Sequence, residues 1–364
     1  MPNRAADVSR SRNVLCLRTL VVLLGPVLFA QCADAPTAPA GTTPTVAAVN
    51  AAAASISSSE FLRLLGVIAD DSMRGRATPS RELELTATYV GAALQSAGLA
   101  AGGDAGSYLQ RYTLAALAAN PTATAPNAIG ILEGSSPARR DEYVLVTAHM
   151  DHIGVAGGGQ KCTAVGADSI CNGANDNGSG TVGVMQLARA FASLHPRPAR
   201  TIIFAAFSGE ERGLWGSAAF AKSPVRPLSQ AVAVINVDMI GRNATDSLIV
   251  VGKSYSTLGG VTDQVAREHP EVGLRLVNDP WNGTYFTRSD QYSFARLGVP
   301  SLFFFNGPHA EVHTARDAVD LINADVAVRS LRMIFYTILD VANAPSRPTW
   351  DAAARARWVA PATR

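Results

Sequence analysis

Short runs of uninterrupted apolar residues alternate along the chain with stretches in which apolar residues recur every three or four positions. The runs Ala128–Leu132, Val144–Ala148, Thr201–Phe207, Ala231–Val237, Leu248–Val251 and Ser301–Phe305 have the length and composition of strands buried on both faces. The periodic stretches predict helices over Thr181–Leu194, Leu214–Lys222, Leu258–Glu268, Gln291–Leu297 and Ala324–Ala342. Ahead of them, Ser57 to Glu60 forms a capping-box pattern followed by Phe61, Leu64, Leu65 and Ile68 at helical spacing. A further helix is expected from Ser80 to Gly98, with Leu83, Ala87, Val90 and Leu94 on one face. Strands alternating with helices predict an α/β domain, a mostly parallel central sheet with helices on both faces. No internal repeat and no linker interrupts residues 56–345, so one domain is expected there, followed by a tail over 346–364.

In such sheets ligands bind beyond the carboxyl ends of the strands. Polar residues follow the predicted strands directly: His149, Met150 and Asp151 after the second run, Glu210 and Glu211 after the third, Asp238 after the fourth and, past a short loop, His313 after the last. Asp176 stands in the turn-rich segment NGANDNGSG. Any one of these also suits a solvated turn or a helix cap. Together, imidazoles and carboxylates form a donor set for divalent metal, with one carboxylate free to bridge two ions, and metal-assisted hydrolysis is the leading expectation.

Composition narrows the choice. Apolar residues make up 48% of the 364, ample for a buried core, and 31 Lys plus Arg against 29 Asp plus Glu leave no basic excess for nucleic acid. Arg4, Arg10, Arg12 and Arg18 precede an apolar stretch, Leu20 to Ala30, too short to span a membrane and suited to an export signal over residues 1–32. LFAQC resembles a bacterial lipobox, which would acylate Cys32 and anchor the chain to a membrane. Gln31 departs from the small residue usual there, and cleavage near Ala33 to Ala35 is the alternative. Either way the protein is expected to be exported: periplasmic, an outer-membrane lipoprotein, or extracellular. Residues 33–55, rich in Ala, Pro and Thr, are expected to be a tether. With Cys16 removed in the signal and Cys32 removed or acylated, Cys162 and Cys171 remain, and in an exported protein they are expected to staple a loop as a disulfide.

The segments HMDHIG, NGANDNGSG, FSGEERGLWGS, NVDMIGR, RSDQYSFARLGVPSLFF and HTARD, in this order between about Ser58 and Asn343, resemble the zinc aminopeptidases that include bacterial leucyl aminopeptidase, aminopeptidase Y and, more distantly, glutamate carboxypeptidase II. The resemblance implies the zinc-exopeptidase fold and two zinc ions sharing a hydroxide nucleophile. It implies His149 and Asp238 on one ion, Glu211 and His313 on the other, and Asp176 bridging them. It further implies Glu210 as general base, a peptide as substrate, and Asp151 as acceptor for the second nitrogen of a ligand imidazole. Asp317 either does the same for His313 or caps a helix. Family members often carry a tyrosine just before the last histidine as oxyanion donor; here that position is Val312, and Tyr285 is the candidate replacement, although a pocket-lining or packing role suits it as well. Trp281, Tyr285, Phe286 and Phe294 are candidates for an apolar substrate pocket or for core.

Two apparent motifs carry little. Gly178, Gly180 and Gly183 match a dinucleotide fingerprint without a strand immediately before it or an acid near position 200, and His309 to His313 only superficially resembles a zinc-binding HExxH helix. The rival functions are a carboxypeptidase or a glutaminyl cyclase on the same fold, and a receptor-like ectodomain without catalysis. Oligomeric state is not legible in the sequence.

Overall fold

The computed structural model describes residues 43–114 and 122–361. The export signal, the lipobox, Cys16 and Cys32, and the tether as far as residue 42 lie outside the described residues.

The strands are β1 (Ala100–Ala101), β2 (Leu109–Thr113), β3 (Thr124–Leu132), β4 (Tyr143–His149), β5 (Thr201–Phe207), β6 (Ala231–Val237), β7 (Ser247–Val251), β8 (Arg275–Asn278) and β9 (Ser301–Phe305). The helices are α1 (Val46–Ala54), α2 (Ser58–Ile68), α3 (Arg81–Ser96), α4 (Gly180–Ala192), α5 (Trp215–Lys222), α6 (Leu258–Glu268), α7 (Tyr292–Ala295), α8 (Ala324–Asn343) and α9 (Ala352–Trp358). One sheet runs in the order β1, β3, β5, β4, β6, β9, β7, β8, with β2 also paired to β3. Its centre, β5, β4, β6 and β9, is parallel. Antiparallel pairs flank that centre: β3 on β5 and β7 on β9. β2 and β3 also pair antiparallel, and the chain between Thr113 and Thr124 is shorter than the crossover a parallel pair needs.

The side chains of β4 show why the central runs are apolar throughout. Val144, Val146 and Ala148 face the larger core, with Val184 and Leu187 of α4 and Leu331 and Phe335 of α8. Tyr143 and Leu145 face the other side, with Phe220 of α5 and Phe294 of α7. Alternate residues of a strand point to opposite faces, so a sheet covered on both sides needs apolar residues at every position.

Both ends of the domain differ from expectation. Part of the expected tether folds: Thr45 caps α1, its hydroxyl accepting the Ala48 N–H at 3.2 Å, and Ala52 and Ala53 are buried as α1 packs against α8. Alanine has the highest helix propensity, so this stretch needed only a neighbour to become helical. The expected tail folds too. Asp351 caps α9, the Trp350 indole donates to the Gly298 carbonyl at 2.9 Å, and the Trp358 ring lies 5.0 Å from that of Phe286. Cys162 and Cys171 form the expected disulfide.

Candidate metal centre

β4 has β5 on one side and β6 on the other; the crossover from β4 runs to β5 and the next returns past β4 to β6, which opens a crevice at its carboxyl end. His149 is the last residue of β4, Glu210 and Glu211 form the turn after β5, and Asp238 follows β6 directly. His313 comes from the loop between β9 and α8, and Asp176 from the loop that leads into α4.

That second loop is built by its own small and amide residues. Asn177 donates to the Val237 carbonyl at 3.0 Å and accepts from the Gly180 N–H at 2.8 Å, and Asn175 accepts the Gly241 N–H at 2.8 Å. Gly180 is required because a Cβ there would lie 2.2 Å from the Val237 carbonyl oxygen. The Asp317 carboxylate accepts the backbone N–H groups of Asn175 and Asp176, both at 2.9 Å. Asp317 therefore holds the Asp176 loop, in place of either role expected for it, because the fold brings the segment after His313 against that loop.

The two oxygens of Asp176 divide between two imidazoles. Oδ1 is 3.4 Å from His149 Nε2, and Oδ2 is 3.2 Å from His313 Nε2. His149 Nε2 is also 3.4 Å from Asp238 Oδ2, and His313 Nε2 is 3.2 Å from Glu211 Oε2. A tetrahedral ion with bonds of ~2.0–2.1 Å separates its ligands by about 3.3–3.4 Å. In each trio the imidazole stands close to that distance from both carboxylates, and the nitrogen and carboxylate donors suit zinc. The buried Asp238 Oδ1 has no hydrogen-bond partner among the described residues, leaving a lone pair free on that ligand. The residues expected as ligands are thus brought together in a form that fits two zinc ions around a shared carboxylate.

The supporting groups differ in part from expectation. His149 Nδ1 is nearest the backbone carbonyl of Asp151, at 3.2 Å, with the Asp151 carboxylate at 3.7 Å. That carboxylate instead accepts the Thr78 hydroxyl at 3.0 Å and the Glu210 N–H at 3.2 Å. Asp151 therefore fixes the turn carrying Glu210 while staying beside His149. Ser289 donates to Asp238 Oδ2 at 2.8 Å. His152, wholly buried, was missed from the sequence; its Nδ1 lies 2.9 Å from Glu211 Oε1. The signal was a second histidine in HMDHIG, overlooked because His149 already ended the strand. Asp290 was also missed; it is buried near His149, Asp151 and Asp238, and burial pushes its carboxyl up to about 7.

Glu210 Oε2 is 3.9 Å from His149 Nε2, and both residues line a cavity of about 430 Å³. Leu214, Met239, Tyr285, Phe303, Phe305 and Val312 form much of the remaining wall. Of the four aromatic candidates, Tyr285 lines this cavity, whereas Phe286 and Phe294 are fully buried core. Trp281 packs edge-on against Tyr285 at 4.7 Å.

In the metal-free protein, burial holds the Glu210 carboxyl well above the ordinary range, His149 pulls it back, and Glu211, Asp290 and Asp238 add to the rise. Burial would raise Asp176 as well, but its hydrogen bonds with His149 and His313 keep it well below that range. Contacts with Asp176 and Glu211 raise the His313 imidazole to about 10. Burial alone would lower His149, and the charges of Asp238 and Glu210 instead take it well above its usual value.

The fold places a donor set suited to divalent metal at the strand ends of a mixed α/β sheet. The chain belongs to peptidase family M28, whose model matches residues 127–338, more than half of its length. It is 26% identical over 261 residues to a probable zinc metalloprotease of Pyrenophora tritici-repentis, covering 61% of this chain and 58% of that one. It is 30% identical over 213 residues to leucine aminopeptidase 1 of Coccidioides posadasii, covering 54% and 52%. The chain spans about half the length of the relatives it matches. Among solved structures, the LapA aminopeptidase of Legionella pneumophila superposes with a TM-score of 0.62 at 18% identity, covering 89% of this chain and 81% of that one. At that identity the likeness shows the fold.

Proposed function

We propose that the protein is an exported dizinc aminopeptidase that removes N-terminal residues from peptides. The observation that carries this reading is the divided carboxylate of Asp176, each oxygen facing an imidazole that also meets one further acid, Asp238 or Glu211. Membership of a peptidase family and the likeness to a leucine aminopeptidase support the substrate class.

His149 and Asp238 would hold one ion, Glu211 and His313 the other, and Asp176 both. Zinc in such a site supplies a Lewis acid for the scissile carbonyl and makes water a better nucleophile near neutral pH. Glu210 is the general base: its backbone is fixed by Asp151, its Oε2 faces the cavity beside His149, and its raised affinity for a proton suits a group that takes one from water and delivers it to the leaving amine. The apolar wall accepts a substrate side chain, within the size range of small-molecule pockets. Tyr285 is the proposed oxyanion donor, since Val312 offers no hydroxyl. Tyr285→Phe is expected to lower kcat ~10²–10³-fold with KM little changed, and unchanged turnover in a steady-state assay would remove it from that role.

Residues 1–32 are proposed to direct export, a reading supported by the disulfide in the folded domain. Mass spectrometry of the mature N-terminus distinguishes acylated Cys32 from cleavage near Ala35. For the activity, the test is release of products from free-amine, N-acetylated and free-carboxylate peptides, with an N-terminal glutaminyl peptide added for cyclisation, before and after chelation. Chelator-sensitive cleavage restricted to free-amine peptides is expected. Cleavage from the carboxyl end, or cyclisation without hydrolysis, would replace the aminopeptidase reading.

A further inference from the structure

We propose that His152 is a positioning residue which holds one oxygen of Glu211, so that Glu211 offers a single oxygen to metal and a coordination position stays open for substrate. This inference rests on the dizinc reading above.

His152 and His313 approach Glu211 from opposite oxygens. His152 Nδ1 is 2.9 Å from Oε1, and His313 Nε2 is 3.2 Å from Oε2. The distances separate their roles. Two ligands of one tetrahedral ion stand about 3.3–3.4 Å apart, and His313 is 3.2 Å from both Glu211 and Asp176, close to that separation. His152 is closer to Glu211 than that, at hydrogen-bond length, and it is 3.9 Å from Asp176 Oδ2. Its Nδ1–H therefore donates to Glu211, whose Oε1 is occupied before any ion arrives.

The ring has little freedom to do anything else. His152 is wholly buried, its Nε2 has no hydrogen-bond partner among the described residues, and its ring stands edge-on to that of His313 with centroids 5.6 Å apart. Gly173, at φ +57°, makes room for it: a Cβ there would lie 2.4 Å from the ring. The glycine that starts the Asp176 loop thus also seats the histidine that orients Glu211. A carboxylate freed from this hydrogen bond can turn both oxygens to an ion and fill a position that substrate needs.

The test compares wild type with His152→Ala and His152→Asn, the latter keeping an N–H donor near the position of Nδ1. Affinity for each ion is read by chelator competition with zinc, and coordination by the visible absorption of the cobalt-substituted protein. In His152→Ala the ion that Glu211 and His313 would hold is expected to bind ~10–100-fold more weakly, with a fainter cobalt band as coordination number rises, while the other ion is retained. His152→Asn is expected to restore both. If His152→Ala does not fold, His152→Gln, which preserves volume and shifts the donor, is read against His152→Asn in the same way. Unchanged affinity and spectrum in wild-type-like His152→Ala would overturn the inference and leave the dizinc reading standing. Loss of one ion from His152→Asn and His152→Ala alike would make His152 a ligand and overturn it too. A wild-type protein that takes up no more than one ion would remove both.

Discussion

At the scale of single residues, the adjacent acids Glu210 and Glu211 meet different surroundings because the turn after β5 sends one toward the cavity beside His149 and the other between His152 and His313. Glu210→Gln is expected to keep its metal and lose ~10²–10⁴-fold in kcat, whereas Asp176→Ala is expected to lose metal. Metal analysis beside steady-state rates reads the difference, and the reverse pattern would exchange their roles. The protonation of the metal-free site has its own consequence. With His313 raised to about 10, that imidazole carries a proton at pH 7–8 and must release it to bind zinc, and the charges of Asp238 and Glu210 shift His149 in the same direction. Apparent zinc affinity should therefore climb with pH from 6 to 9, with about one proton released from His313, measured by calorimetry in buffers of different ionisation enthalpy; pH-independent binding would contradict that protonation state. The candidate ligands could be picked out in the sequence because each one's place follows from the end of a strand or the loop beside it. The roles of Asp151, Asp317 and His152 could not, because each acts on a residue brought near only by folding: Asp317 holds Asn175 and Asp176 from far along the chain.

At the scale of elements, the disulfide-closed loop braces the His313 loop. The Thr163 N–H donates to the His313 carbonyl at 3.0 Å, and the Ala315 N–H returns a bond to the Thr163 carbonyl at 2.9 Å. His313 needs such bracing, since it sits at φ +61° and its side chain is 41% exposed, far more than the other ligands. Replacing Cys162 and Cys171 together by Ser is expected to lower stability by ~2–3 kcal/mol and to speed loss of the ion that His313 holds. Denaturant unfolding and the kinetics of zinc release to a chelator would show it; release at the wild-type rate would make the loop irrelevant to the site. The central strands were legible because burial on both faces leaves an unbroken apolar run. α1 was not, because its near-pure alanine sequence has no apolar stripe to mark a buried face, and neither were β1, of two residues, and β8, of four.

At the scale of the molecule, the parallel centre of the sheet collects candidate ligands from the ends of β4, β5 and β6, and the loop after β9 closes the set. One antiparallel margin braces that arrangement: the Tyr112 hydroxyl of β2 donates to the Ser208 carbonyl at 3.0 Å, and Asn127 of β3 accepts the Ser208 N–H at 3.2 Å, beside the turn that carries Glu210. The predicted class, an α/β sheet with its site at the strand ends, followed from the alternation of elements; the direction of the marginal strands did not, because a short apolar segment pairs either way and the connections decide. The central claim is that one carboxylate joins two zinc sites. It is tested most directly by titrating metal-stripped protein with zinc and counting the ions bound per chain. Two tightly bound ions per wild-type chain, with activity complete only when both are present, are expected. Saturation and full activity at one ion per chain would contradict the shared site.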